Sequence, residues 1–214
     1  MTRPLVIVGA GGHGREVLDI VEARIAAGDD RYAFAGFVDD GEPDGERLGR
    51  RNARYRGPVS WLLSHHDAAF VVGIGDGAVR RRIVEQFDAA GRRAATLVHP
   101  LASIGSDVEL ADGCVIAAGA RVTTNVRLGR HCHVNVNASI SHDCRLGDYV
   151  TVSPGSVVCG TVTAGDGVYI GANACLLPGV TVGAGTMIGA GSCVTRDVGA
   201  DCTVVGVPAR LVHS

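Results

Sequence analysis

The chain has 214 residues, room for one large domain or two small ones. Its formal charge is -2 at neutral pH, which supplies no basic field for nucleic acid or an anionic membrane surface. Hydrophobic residues make up 46% but aromatic ones only 4%, alongside 31 glycines, which argues against a core of large rings and for stacked layers of small aliphatic side chains.

The N-terminal run MTRPLVIVGAGG is too short for a signal-peptide core with a cleavage site, and no apolar run approaches membrane-spanning length. A soluble, cytoplasmic protein is therefore expected. The seven cysteines (Cys114, Cys132, Cys144, Cys159, Cys175, Cys193 and Cys202) are odd in number and contain no C-x-x-C pair, so they read as free, buried, small hydrophobes.

In chain order, Pro4–Val8 is a short apolar strand that ends in the glycine loop GAGGHG. A helix follows, with Val17, Leu18, Val21 and Ile25 at helical spacing and Gly28 as its stop. YAFAGFVDD reads as a second strand ending in two acids, and AAFVVGIGDG as a third ending in another glycine-rich turn. AVRRRIVEQFDAAG is a second amphipathic helix and AATLVHP a last strand. Alternating strands and helices predict a small parallel α/β sheet over residues 1–98.

Gly9, Gly11 and Gly14 stand in G-x-G-x-x-G spacing between a strand and a helix, a pattern that suits a phosphate at a helix N-terminus. Asp39 lies farther along than the usual acid of a dinucleotide fingerprint, and about a hundred residues hold only half of a doubly wound fold. The expectation is thus a site for one nucleotide. Gly11, Gly12 and His13 would hold phosphates, Asp39 and Asp40 would accept hydrogen bonds from base or ribose, and Gly73, Ile74, Gly75 and Asp76 would complete the crevice.

From residue 99 to 214 a period of six takes over. Every sixth residue from Ile104 to Val194 is Ile, Leu or Val, with Ala164 the one departure. The residue four places after each is Val, Cys, Ala, Ser or Thr throughout. An unbroken hexad predicts a parallel β-helix of three short strands per coil of about 18 residues. The small residue and the next aliphatic are two apart, so both point inward. The residues after the aliphatic turn the corner, where Gly, Asn and Asp tolerate positive φ.

His142 and Asp143 are the second and third residues after Ile140, so they project outward from a corner. An imidazole, with an ordinary pKa of about 6.5, suits proton transfer at neutral pH. A carboxylate on its other nitrogen fixes the tautomer and stabilises the imidazolium. Gly160, eighteen residues on, is expected one coil above His142, where a bare N–H serves as an oxyanion donor. Asn125, one coil beneath Asp143, and Asn135 on a neighbouring corner are candidate polar orienters, although Asn at a corner also has backbone reasons.

With VIVGAGGHGREVLDI, GFVDD, VVGIGD, SHDC, SPGSVVCG and GVPAR in place, nearly the whole chain resembles the NeuD/PglD-like hexapeptide acyltransferases, the group of sialic-acid O-acetyltransferases and sugar-nucleotide N-acetyltransferases. The resemblance implies a Rossmann-like N-terminal domain that holds the nucleotide of a nucleotide-linked sugar. It implies a left-handed β-helix that assembles as a homotrimer with acetyl-CoA between neighbouring subunits. It further implies His142 as general base, Asp143 as its orienter and the Gly160 amide against the thioester oxygen. Ala172 and Ala190 would line the CoA arm together with Gly160, and Asn135 would face the acceptor. Relatives carry a histidine after the GDYV segment; here Thr151 stands there, so a second histidine contact is not carried over.

An amine is the easier nucleophile, which favours N-acetylation, with transfer to a sugar hydroxyl as the alternative. Two other classes compete. A zinc enzyme of the γ-carbonic-anhydrase type would use His131, His133 and His142, but their places in the hexad differ, so no metal is expected. His133 is predicted to face outward from its strand, His65, His66 and His213 to lie at the surface, and His99 at the domain junction. A non-catalytic scaffold that binds a nucleotide sugar would leave the alignment of His142, Asp143 and Gly160 idle.

Overall fold

The computed structural model describes residues 2–213, the last of these in backbone only. Among them no helix is long and apolar enough to cross a membrane. The chain forms two compact units, divided between Pro100 and Leu101.

The first unit runs β1 (Arg3–Val8), α1 (Gly12–Ala26), β2 (Tyr32–Val38), α2 (Gly45–Gly49), β3 (Tyr55–Gly57), α3 (Val59–Leu63), β4 (Ala69–Val72) and α4 (Gly77–Ala89). Its parallel sheet has the order β3-β2-β1-β4. β1 is central, and Leu5, Val6, Ile7 and Val8 are each 0% exposed, as befits a strand covered on both faces. The chain leaves β1 toward β2 on one side and reaches β4 on the other, so the strand order reverses between β1 and β4. A crevice outside the carboxyl ends of those two strands is where such sheets take ligands.

Three features of this unit differ from the sequence reading. The stretch between the second and third predicted strands contains β3 and two single-turn helices. β3 is three residues long, too short for any alternation, and hydrogen bonds from Arg56 Nε to Ala35 O (2.6 Å) and Tyr55 Oη to Asp39 O (2.9 Å) hold it in place. The predicted last strand shrinks to Leu97–Val98 and does not join this sheet; the approach to it is fixed by Ala95 N–H donating to Phe70 O (2.7 Å). Ile25 is 45% exposed, because in the last turn of α1 it is Arg24 that turns inward, donating from Nε (3.0 Å) and Nη2 (2.5 Å) to Asp29. The guanidinium of Arg31 first, and that of Arg24 with it, holds the Asp29 carboxyl well below the usual carboxylate range.

The second unit is a left-handed parallel β-helix, as the hexad predicts. Each strand pairs with the one eighteen residues on: Ser139 with Val157, Arg145 with Thr163, His133 with Thr151 and Thr151 with Tyr169. The inward small residues and aliphatics form the core, with Cys114, Ile116, Ala138, Ile140, Cys144, Val158, Val162 and Ile170 all 0% exposed. Inward Ser156 remains affordable because its hydroxyl donates to Gly171 O (2.8 Å). Cys114, Cys132 and Cys144 are buried as expected, whereas Cys159, Cys175, Cys193 and Cys202 are half-buried. No cysteine is bridged among the described residues.

The corners refine the reading of the glycines. The left-handed residue is the third after the aliphatic: Asp107, Asn125, His131, Asn137, Asp143, Tyr149, Thr161 and Asn173 have φ from 53° to 62°. Glycine immediately after the aliphatic has another cause. A Cβ on Gly165 would lie 2.6 Å from Ala184 N of the next coil, so space rather than φ selects it.

Candidate active site

One corner column of the β-helix brings His142, Asp143 and Gly160 together. His142 and Asp143 project from the turn between the strands Ser139–Ile140 and Arg145–Leu146. The turn is tied to its neighbours above and below: Ser141 N–H donates to Val158 O (2.9 Å), Asp143 N–H to Thr124 O (3.2 Å), and Thr161 N–H to His142 O (2.8 Å). His142 Nδ1 meets Asp143 Oδ2 at 2.7 Å. The carboxylate therefore accepts a hydrogen bond from Nδ1–H, the tautomer that leaves the lone pair on Nε2. The other carboxylate oxygen of Asp143 accepts from Asn125 Nδ2 at 2.5 Å. Its partner His142 first, then Asn125, lowers the Asp143 pKa below the ordinary aspartate value, so the orienter is anionic. The two side chains are 61% and 47% exposed, open to a substrate from the solvent side.

Gly160 lies over this ring. A Cβ there would stand 2.5 Å from His142 Cε1 and 2.6 Å from Nε2, so any side chain would collide with the imidazole. The Gly160 amide donates to no acceptor among the described residues. A base with a free Nε2 beneath an uncommitted N–H is the pair that attack on a carbonyl requires: one group takes a proton from the nucleophile, the other receives the oxyanion.

The first unit holds a second candidate site. Gly9 turns the chain out of β1 at φ +101°, and Gly14 packs α1 against the loop so closely that a Cβ on it would sit 1.8 Å from Gly9 O. Gly11 caps α1 without a side-chain hydrogen bond. Cβ positions on Gly11 and Gly75 face open space, and one on Gly12 meets only the tip of Arg15 at 4.0 Å. The result is a helix N-terminus with room before it, suited to an anion.

Asp39, just after β2, ties two loops: Oδ2 accepts from Ala10 N–H (2.7 Å) and Oδ1 from Gly41 N–H (2.8 Å). Asp40 Oδ1 accepts from Val59 N–H (2.8 Å) at the start of α3, and Asp76 Oδ1 caps α4 through Val79 N–H (2.9 Å). His13 Nδ1 meets Glu16 Oε2 at 3.0 Å, and burial lowers its pKa. The sequence reading missed two arginines that brace these loops. Arg80 is fully buried and donates from Nη1 to Ile74 O and Gly75 O, both at 2.9 Å, while Arg15 Nη1 donates to Ala10 O (3.1 Å). Their signal, an arginine just inside the helix after each glycine turn, was visible but unspecific.

Other predicted positions lie elsewhere on the β-helix. Asn135, Ala172 and Ala190 belong to the corner at the opposite end of the His142 face. Asn135 Nδ2 donates to Val152 O (3.0 Å), and Ala172 O accepts from Gly191 N–H (2.8 Å). His133 alternates with the inward Cys132 and Val134, between Val115 and Thr151 in its ladder, and is nevertheless fully buried. His131 is a buried corner residue stacked on Tyr149 at 5.4 Å. Among the described residues no group of three His, Cys, Asp or Glu side chains is placed to hold a metal ion. His66 is exposed, His99 is half-buried, and His65 is half-buried against Trp61, 3.6 Å between ring centroids. The side chain of His213 lies outside the described residues.

Comparison with known proteins follows the same division. Residues 4–87 match the PglD N-terminal domain family, and residues 165–196 match the bacterial transferase hexapeptide family (six repeats). The acetyltransferase domain of PglB from Neisseria gonorrhoeae FA1090, solved with acetyl coenzyme A, is 31% identical with a TM-score of 0.86, over 99% of this chain and 100% of that one. PerB from Caulobacter crescentus, solved with CoA and GDP-perosamine, is 30% identical with a TM-score of 0.84, over 98% of this chain and 97% of that one. A UDP-N-acetylbacillosamine N-acetyltransferase of Bacillus subtilis (strain 168) is 32% identical over 118 residues. That match spans 53% of this chain and about half, 51%, of the curated relative.

Proposed function

Because the chain belongs to the NeuD/PglD-like family of sugar acetyltransferases, we propose that it transfers an acetyl group from acetyl-CoA to the amino group of a nucleotide-linked amino sugar. The observation that carries this reading is the His142 ring, held by Asp143 through Nδ1, with Nε2 directly beneath Gly160.

In this mechanism His142 Nε2 takes a proton from the sugar amine as its nitrogen attacks the thioester carbonyl. The tetrahedral oxyanion is received by the Gly160 N–H. The C–S bond then breaks, the acetamide forms, and the imidazolium returns the proton to the departing CoA thiolate. No acyl-enzyme intermediate is needed. Asp143 stays anionic throughout and stabilises the imidazolium. The diphosphate of the acceptor occupies the open N-terminus of α1 at Gly11, Gly12 and His13. Asp39 and Asp40 offer acceptor oxygens to the nucleoside, with Gly73 to Asp76 forming the far wall. Asn135 contacts the acceptor, and Ala172 and Ala190 line the CoA arm on a neighbouring copy's side of a homotrimer. A cytoplasmic setting fits both substrates and the unbridged cysteines.

Acceptor and nucleotide are identified together by mixing the protein with acetyl-CoA and UDP-, GDP- and dTDP-linked 4-amino sugars and CMP-sialic acid, then measuring thiol release. Turnover with one 4-amino sugar nucleotide, lost in His142→Ala, is the expected result. CoA binding without turnover on any of these amines moves the assignment to a sugar hydroxyl. Absence of CoA binding leaves a nucleotide-sugar-binding scaffold.

A further inference from the structure

The third residues of the reactive corner form a column, Asp107, Asn125, Asp143 and Thr161, all left-handed. Asp107 is occupied by Arg127, which donates from Nη2 to its Oδ1 (3.1 Å) and from Nη1 to its carbonyl (2.8 Å). Asn125 is the neutral member between two carboxylates, and its side chain points up the column to Asp143. A carboxylate only accepts, so the atom facing Asp143 Oδ1 is the amide nitrogen.

Asp143 is thus gripped at both oxygens, Oδ1 by Asn125 at 2.5 Å and Oδ2 by His142 at 2.7 Å. In a buried triad the surrounding protein fixes the orienting carboxylate. Here that carboxylate is 47% exposed and the imidazole 61% exposed, so packing does not fix either group. Taking the assignment of His142 as base as its premise, we propose that Asn125 is a positioning residue of the transfer reaction. It acts through Asp143, locking the carboxylate rotamer and with it the plane and tautomer of the His142 ring.

The column also explains why the residue is an amide. An aspartate at position 125 would place a third carboxylate between Asp107 and Asp143. The groups facing it are those two acids, His142 above and Arg127 alongside, whose guanidinium already serves Asp107 and Glu109. The added negative charge would favour the imidazolium, the inactive form of the base.

Asn125→Gly and Asn125→Asp in the full chain test this. Glycine suits the backbone φ of 55°, so Asn125→Gly removes the side chain without strain. The expected result is a kcat about 10-fold lower, as for a misplaced catalytic group, with both KM values within about twofold of native and an unchanged melting temperature. In Asn125→Asp, where the new carboxylate lies against Asp143, kcat falls likewise with KM kept, and the acidic limb of the kcat/KM profile moves to higher pH; a purely structural asparagine would leave kcat unsplit from KM. Native kcat in Asn125→Gly, or a native acidic limb in Asn125→Asp, overturns the proposal. If Asn125→Gly does not fold, the Asp variant decides alone. Native kcat in His142→Ala would instead overturn the premise, so the two failures are distinguishable.

Discussion

The two units use glycine and acid for different ends, and the contrast shows how each builds a site. In the β-helix a residue's surroundings follow from its phase: the same corner recurs every eighteen residues, and His142, Gly160 and Asn125 share a column because of arithmetic. In the α/β unit each glycine solves a unique contact. Gly14 exists for one carbonyl, that of Gly9, and Asp39 for two particular N–H groups. A periodic scaffold makes a reactive position by substitution on an existing lattice, whereas the non-periodic unit must build its site from contacts between segments distant in sequence.

This contrast predicts that damage in the β-helix column affects kcat and damage in the α/β crevice affects folding and acceptor binding. The largest effect is expected at His142→Ala, a drop in kcat of about 10²-fold or more with thermal unfolding unchanged, read by thiol release at saturating substrates. Loss of KM instead of kcat would break the division of labour. Next is Gly14→Ala, where a Cβ 1.8 Å from a carbonyl oxygen forces α1 off the sheet. A loss of about 3 kcal/mol or more from the α/β unit is expected in calorimetry, with the β-helix transition unmoved. Asp39→Ala is expected to raise the acceptor KM about 10-fold while leaving CoA affinity intact, checked by titration calorimetry with each substrate separately. An equal loss for both substrates would break that separation.

The smallest effect sharpens the comparison from the β-helix side. Thr161 is β-branched and sits at φ 62°, where its column neighbours are Asp, Asn and Gly. Thr161→Gly is expected to raise stability by on the order of 0.5–1 kcal/mol, the left-handed penalty less the added chain entropy, measured as the denaturation midpoint.

The His142 corner was legible because a hexad has only one register. Once Ile140 is placed inward, His142 and Asp143 are outward and Gly160 is overhead. The α/β unit was legible only in its strong periodic elements. β3 escaped because three residues carry no pattern, and Ile25 was misplaced because Arg24 found Asp29, a tertiary partner that helical spacing does not encode. His133 marks the limit of the same rule in the β-helix: phase gives the direction of a side chain from its strand but not what covers it.

By itself, then, the sequence determined the β-helix register and the membership of the His142 column, because both rest on local periodicity. Only the tertiary structure decided the interactions within that column: which oxygen of Asp143 holds the ring, that Asn125 takes the other, and that the Gly160 amide is left uncommitted. It also decided that Asp40 and Asp76 cap helices while Asp39 ties the glycine loop to the end of β2. The physical reason is range. Spacing along the chain fixes which face a residue occupies, but the Asn125–Asp143 bond of 2.5 Å and the Ala10–Asp39 bond of 2.7 Å form only when segments apart in sequence are brought together, and that is settled by packing.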